Sequence, residues 1–301
     1  MSYQPSNPPE CMEAALPEID LVIEPRKRDL GDNFIVGRVL PSPRRRMVGP
    51  FLFFDEMGPV ELSPAKHMDV RPHPHINLAT VTYLFDGEIV HKDSLGSDQA
   101  ITPGAINWMT AGRGIVHSER AHPRSELRMH GLQLWCGLPS ASEEVAPAFD
   151  HYAAATLPSV EQGGATIRVL AGEAFGLRSP VKTLSRLFYV DVVAREATTI
   201  EVPDYPERAA YTVTGQVAAD DTAYPRGQML VFTRGKPVRL SLAAGTRMVM
   251  LGGEPLDGAR HMFWNFVSSR PERIEQAKQQ WKAREFPLVP GDDQEFIPLP
   301  E

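Results

Sequence analysis

Short apolar runs divided by turn formers fill most of the chain. The clearest stretch is Leu78 to His91, LATVTYLFDGEIVH, with two β-rich runs on either side of Asp86-Gly87. That dipeptide tolerates positive φ and favours type I′ closure, so the pattern predicts a hairpin here. Pro103-Gly104 then leads into the run Ala105 to Thr110, Ala111-Gly112-Arg113-Gly114 makes a further turn, and Ile115 to Arg120 follows. The second half keeps this rhythm. Leu187 to Val193 (LFYVDVV) is strand-like, Tyr211 to Val217 carries a turn at Gly215, and Pro225-Arg226-Gly227 precedes Gln228 to Phe232. Laying TVTYLFDGEI…TPGAINWM beside YTVTGQV…YPRGQMLVF gives a faint internal duplication, and two similar β-barrels or sandwiches fit the length. Pro139 to Pro158 is the expected connector, dividing the chain into units of residues 1–150 and 151–301.

A single helix is expected near the end. Ser269-Arg270-Pro271-Glu272 has the S-x-x-E form of a capping box. Ile274, Ala277 and Trp281 follow at i, i+3 and i+7, one apolar stripe for packing on a sheet.

Composition narrows the class. Of 301 residues, 42% are hydrophobic and 23% charged, which suits a chain with a real core. Thirty-one Lys and Arg against 38 Asp and Glu give a net charge of −7, so the chain lacks the charge for a nonspecific grip on phosphate backbones. Arg26-Lys27-Arg28 and Arg44-Arg45-Arg46 read as solvated surface, and direct nucleic-acid binding is not expected. No apolar run has the length of a membrane span, and the N-terminus lacks the basic-then-apolar order of a signal peptide. Cys11 and Cys136 cannot build a disulfide framework, and neither has an activating neighbour in sequence. A cytoplasmic protein is the expectation.

The chemistry concentrates in two segments, Arg71-Pro72-His73-Pro74-His75 and Gly112-Arg113-Gly114-Ile115-Val116-His117-Ser118-Glu119. Residues i and i+2 of a strand share a face, so His73 projects with His75 and His117 with Glu119. If both strands line one barrel, three imidazoles and a carboxylate converge. Such a set suits a divalent transition ion with positions left open for water, O₂ or substrate. A single H-x-H pair is more often part of a surface strand or loop, but two ligand-type pairs beside turn glycines outweigh that reading. An inward carboxylate is costly to bury alone, and a cation removes the cost. Ser118 faces away from its neighbours, which excludes a hydrolytic triad. Gly112-x-Gly114 precedes a strand-like run and reads as a turn. His91 and Asp93 are candidates for supporting the ligands or for ordinary strand hydrogen bonding, and His130 has a similar balance.

The segments RPHPHINLATVTYLFDGEIVHKDSLG and ITPGAINWMTAGRGIVHSER closely resemble the pirin family of the cupin superfamily. GPFLFFDEMGP, HGLQLWCGLP and WNFVSSRPERI extend the resemblance over most of the chain. It implies an all-β bicupin, two tandem cupin β-barrels with a short C-terminal helix. One metal, usually Fe(II), would sit in the N-terminal barrel on His73, His75, His117 and Glu119. Asn77 and Ala105 depart from the common Gly and Asp without touching the ligand set. The second half has no histidine between His151 and His261, so its barrel is expected to be structural or an interaction surface. The resemblance also implies two functional expectations. One is a quercetin 2,3-dioxygenase type of activity on a flavonol-like aromatic substrate, with Glu119 as catalytic base. The other is a redox-sensing regulator that binds a transcription factor or metabolic enzyme as its protein partner.

Overall fold

The computed structural model describes residues 17–29, 34–64, 66–121 and 127–301; Cys11 lies outside the described residues. Strands dominate, and the only long helix among the described residues is Pro271–Lys282. No helix described is long and apolar enough to cross a membrane.

Each half contributes one large and one small antiparallel sheet. In the first barrel the large sheet runs Ala148–Tyr152, Ile106–Thr110, Leu78–Asp86, Leu127–Gly137, Phe51–Leu62, Ile35–Leu40, Arg26–Asp29. The small sheet runs Met68–His75, Ile115–Ala121, Ile89–Asp93, Asp98–Ile101. In the second barrel the large sheet runs Ile19–Ile23, Met229–Phe232, Glu207–Thr214, Arg247–Gly253, Leu187–Ala194, Ala165–Ala174, Ser159–Gln162. Its small sheet is Thr198–Glu201, Arg239–Leu242, Gln216–Ala219, Thr222–Pro225. The duplication that is faint in sequence is therefore a matched strand order. The chain is an all-β bicupin with a C-terminal helix, as its pattern and its resemblance imply. One described strand crosses between halves, Ile19–Ile23 pairing with Met229–Phe232, while Ala148–Tyr152, within the expected connector, stays with the first barrel by pairing with Ile106–Thr110.

The two large sheets pack against each other, and this sets the burial pattern. Leu78–Asp86 is buried on nearly every residue because both its faces are covered. Ala79, Val81, Tyr83 and Phe85 share a core with Tyr189, Tyr211 and Leu251 of the other half. Reciprocal hydrogen bonds join the faces: Tyr83 Oη donates to Asp191 Oδ2 at 2.8 Å, and Tyr211 Oη to Glu56 Oε2 at 2.6 Å. These tyrosines stand at equal distances ahead of Gly87 and Gly215, so the pairing follows the internal repeat.

Two local expectations need correction. Asp86-Gly87 does not close a hairpin. Gly87 has the expected positive φ of 90°, but Leu78–Asp86 lies in the large sheet and Ile89–Asp93 in the small one. The turn is a corner between sheets, and Gly215 makes the same corner in the second barrel. The capping box is also absent. Arg270 is the N-cap and makes no side-chain cap bond, while the Ser269 hydroxyl and backbone N–H donate to the buried Glu143 carboxylate. The expected apolar stripe of Ile274, Ala277 and Trp281 is buried.

Candidate metal centre

The small sheet of the first barrel brings the two histidine segments together. Ile115–Ala121 pairs with Met68–His75 so that His117 lies opposite His73 and Ile115 opposite His75. A register shift between His117 and Glu119 sets Glu119 opposite Val70. Such a bulge re-aims the side chains that flank it. Ser118 and Arg120 alternate outward and hold Asp292 of the C-terminal tail, Ser118 Oγ donating at 2.6 Å.

His73, His75 and His117 each offer a ligand atom within 4.8 Å of the others. A second triple, His91, His117 and Glu119, meets the same limit and shares His117. The four candidate residues from the sequence are all buried: His73, His75 and His117 form one group, Glu119 falls with His91 in the other, and His117 belongs to both.

The ring nitrogens are partitioned. His73 Nδ1 lies 2.9 Å from the Arg71 carbonyl, and His75 Nδ1 lies 3.2 Å from that of Asn265. A carbonyl only accepts, so each Nδ1 carries the proton and each Nε2 keeps a lone pair. His117 Nε2 is buried and has no hydrogen-bond partner. A buried polar atom without a partner asks for an explanation, and an ion is one. Burial pushes the His73 pKa down to about 4 and those of His75 and His117 well below the usual imidazole value. The rings are thus neutral, the form that ligates a metal. The donor set fits a divalent transition ion.

Glu119 sits among polar neighbours that no sequence motif marks. Thr82 Oγ1 shares its one proton between Glu119 Oε1 at 3.0 Å and Gln133 Oε1 at 2.8 Å, and Gln133 Nε2 donates to Glu119 Oε1 at 3.3 Å. Burial raises the Glu119 pKa, and these two donors with His91 only partly offset the rise. Thr82 and Gln133 belong to a row that the register draws across the large sheet. Arg38 lies opposite Asp55, Asp55 opposite Gln133, Gln133 opposite Thr82, Thr82 opposite Asn107, and Asn107 opposite His151. Alternation would have put each on an inward face, but only pairing across six strands reveals the row.

His91 Nε2 lies 3.0 Å from Asp93 Oδ2, and its ring stacks on Phe149 at 4.1 Å between centroids. Burial pushes the Asp93 pKa up, but hydrogen bonds from His91 and Ser97 outweigh it, and the net shift is downward. His130 is elsewhere, bonded to Glu56 at the contact between barrels.

A cavity of about 360 Å³ opens onto His73, His75 and Glu119. Phe53 and Trp135 form one wall, stacked at 4.0 Å, and Met57, Met68 and Trp264 form others. A larger cleft of about 1020 Å³ lies around Ser179 to Leu187, far from any group of ligand-type side chains among the described residues.

Known proteins carry this architecture. The pirin profile matches residues 33–136, and the profile of the pirin C-terminal cupin domain matches residues 188–287. A pirin-like protein of Caulobacter vibrioides is 51% identical over 289 residues, covering 94% of this chain and 100% of that one. A pirin-like protein of Solanum lycopersicum is 32% identical over 264 residues, 85% of this chain and 88% of that one. The crystal structure of a quercetin 2,3-dioxygenase from Acinetobacter baumannii matches with a TM-score of 0.88 at 34% identity, covering 93% of this chain and 95% of that one. With the histidine and glutamate cluster in its first barrel and both halves matched, the chain belongs to the pirin family.

Proposed function

We propose that the protein is a metal-dependent dioxygenase of the quercetin 2,3-dioxygenase type, acting on a flavonol-like aromatic substrate. His73, His75, His117 and Glu119 would hold one divalent transition metal, Fe(II) by family precedent, in the unit of residues 1–150. The observation that carries this reading is the cluster of buried neutral imidazoles, with an unpartnered His117 Nε2, beside an aromatic-walled cavity that His73, His75 and Glu119 line. The likeness to the Acinetobacter baumannii enzyme supports the substrate class.

When bound, the metal would lower the pKa of a substrate hydroxyl and bring substrate and O₂ together. The chain's own residues account for the rest. Phe53 and Trp135 present a flat stacked face against which an aromatic ring can lie. The Glu119 carboxylate takes the hydroxyl proton, and its raised pKa brings it closer to neutral pH, where a general base works best. Thr82 and Gln133 hold Oε1, leaving Oε2 for that transfer.

The test is oxygen consumption and carbon monoxide release with quercetin, using iron-loaded protein of verified content. Turnover that disappears in His117→Ala supports the proposal. Glu119→Gln should retain metal and lose turnover, and unchanged turnover would sink the base role. A regulatory reading has one observation of its own. The tail segment that docks on Ser118 and Arg120 also donates from Ile297 N to the Pro72 carbonyl, so it grips both ligand strands from outside. Hydrogen exchange at residues 288–297 that differs between reduced and oxidised protein, without quercetin turnover, would favour it.

A further inference from the structure

His73 and His75 have their tautomers set by backbone carbonyls, but His117 does not. Its Nδ1 lies 3.4 Å from His91 Nδ1, a second imidazole that can donate or accept. What decides the direction is Asp93. Its Oδ1 accepts the backbone N–H groups of Leu95 and Ser97 at 2.9 and 3.1 Å, and its Oδ2 faces His91 Nε2 at 3.0 Å. The strand register places Asp93 opposite His117 and His91 opposite Glu119, with all four buried. Phe149, stacked on His91 with planes 7° apart, keeps the ring in that plane.

We infer that Asp93 and His91 are positioning residues that fix the metal-binding tautomer of His117. The Asp93 carboxylate accepts, so His91 carries its proton on Nε2. A neutral imidazole has one N–H, which leaves His91 Nδ1 as an acceptor. His117 must then donate from Nδ1, and its Nε2 keeps the lone pair. All three histidines reach the same state, two through backbone and one through this side-chain relay. Only the relay can be reversed by a single substitution. The inference rests on the ligand set proposed above.

Asp93→Asn is the reversing change. Its Oδ1 can still accept from Leu95 and Ser97, so the turn is retained. Its Nδ2 then donates to His91 Nε2, which moves the His91 proton to Nδ1 and sets a donor against His117 Nδ1. Flipping the amide would instead press its NH₂ against two backbone N–H groups. His117 is driven to carry its proton on Nε2, the atom needed for the ion. Loss of such an outer partner lowers metal affinity by about 10–100-fold, and that is the expected change in the cobalt(II) dissociation constant.

The experiment pairs cobalt(II) titration of wild type and Asp93→Asn with nitrogen-15 NMR of the metal-free proteins. The wild-type spectrum should show His117 protonated on Nδ1 and His91 on Nε2, with both reversed in the variant. A purely structural Asp93 would leave these assignments unchanged. Wild-type His117 protonated on Nε2, or a variant that binds cobalt(II) as tightly as wild type, would overturn the inference. If the variant does not fold, the wild-type assignment decides alone. Wild-type protein that binds no cobalt(II) would overturn the ligand set instead, while its tautomers still judge the relay.

Discussion

On the small sheet of the first barrel, His117 faces His73 and Ile115 faces His75; on that of the second, Leu240 faces Ile200 and Leu242 faces Thr198. The strand orders match, yet one sheet presents imidazoles to the barrel interior and the other presents aliphatic side chains. The second interior is closed by Ile167, Val190, Val192, Leu230 and Met250, all fully buried. Topology therefore supplies two equivalent chambers, and side chains alone make one of them a site. The second chamber gives stability through apolar burial, whereas the first buries polar groups that lower stability unless something ligates them.

Two substitutions at matched places should separate these roles most widely. His117→Ala is expected to lose the ion and all turnover while costing the metal-free fold less than loss of a core leucine, because the ring it removes has one nitrogen, Nε2, without a partner and gives up only the long contact of Nδ1 with His91. Leu240→Ala in the second barrel should do the reverse. It should destabilise the fold by about 2–5 kcal/mol in urea, the usual range for a buried leucine, and leave metal stoichiometry intact. If metal-free His117→Ala unfolds as readily as Leu240→Ala, the division between site and scaffold fails.

Acid should act on the first chamber and spare the second. The His73 pKa falls from 6.5 to about 4 on burial, and those of His75 and His117 also fall. In the unfolded chain these rings take protons as pH drops through the usual imidazole range, while in the folded metal-free protein they stay neutral. The unfolded state then binds more protons, and stability decreases from about pH 6.5 towards pH 4. Glu119 opposes this, since its raised pKa makes the folded state the better proton binder there, but one carboxyl stands against three imidazoles. For His73 alone the loss amounts to roughly 3 kcal/mol. Urea unfolding of metal-free protein at a series of pH values reads it directly. A flat profile in the wild type would show that the histidines are not neutral, and replacing them should flatten the slope.

The sequence showed the four candidate ligands plainly because each pair lies within a single strand. Period-two alternation in RPHPH and in IVHSE is local and survives whatever the strand pairs with. The same locality explains the two errors. Asp86-Gly87 encodes a positive φ, and nothing in the dipeptide says whether the next strand returns beside the last one or turns into another sheet. Ser269 and Glu272 have capping spacing, but the buried Glu143, 126 residues away from Ser269, takes the serine hydroxyl. Thr82, Gln133 and the direction of His91 were hidden for the same reason. Each depends on register between strands distant in sequence, and no periodicity reports it.

The smallest effects should lie in the hydroxyls of two threonines, one in each chamber. Thr82 Oγ1 donates to Glu119, whereas Thr212 Oγ1, buried in the second barrel, has no hydrogen-bond partner. The residue that matches Thr82 in the repeat is Ala210, as far ahead of Gly215 as Thr82 is ahead of Gly87, so the second barrel does without this donor. Thr82→Val keeps the shape and removes one bond to a carboxylate, a contact of about 1.5–3 kcal/mol when the partner is charged. Turnover should fall by about tenfold, and the acid limb of its pH profile should move upward as Glu119 loses a donor that holds its pKa down. Thr212→Val exchanges an unpartnered hydroxyl for a methyl of similar shape, and it should leave turnover unchanged and the fold as stable or slightly more so. Measuring both variants for pH-dependent kcat and for urea stability gives the sharpest contrast between the chambers. Equal behaviour of the two would mean that the Thr82 hydroxyl serves packing alone.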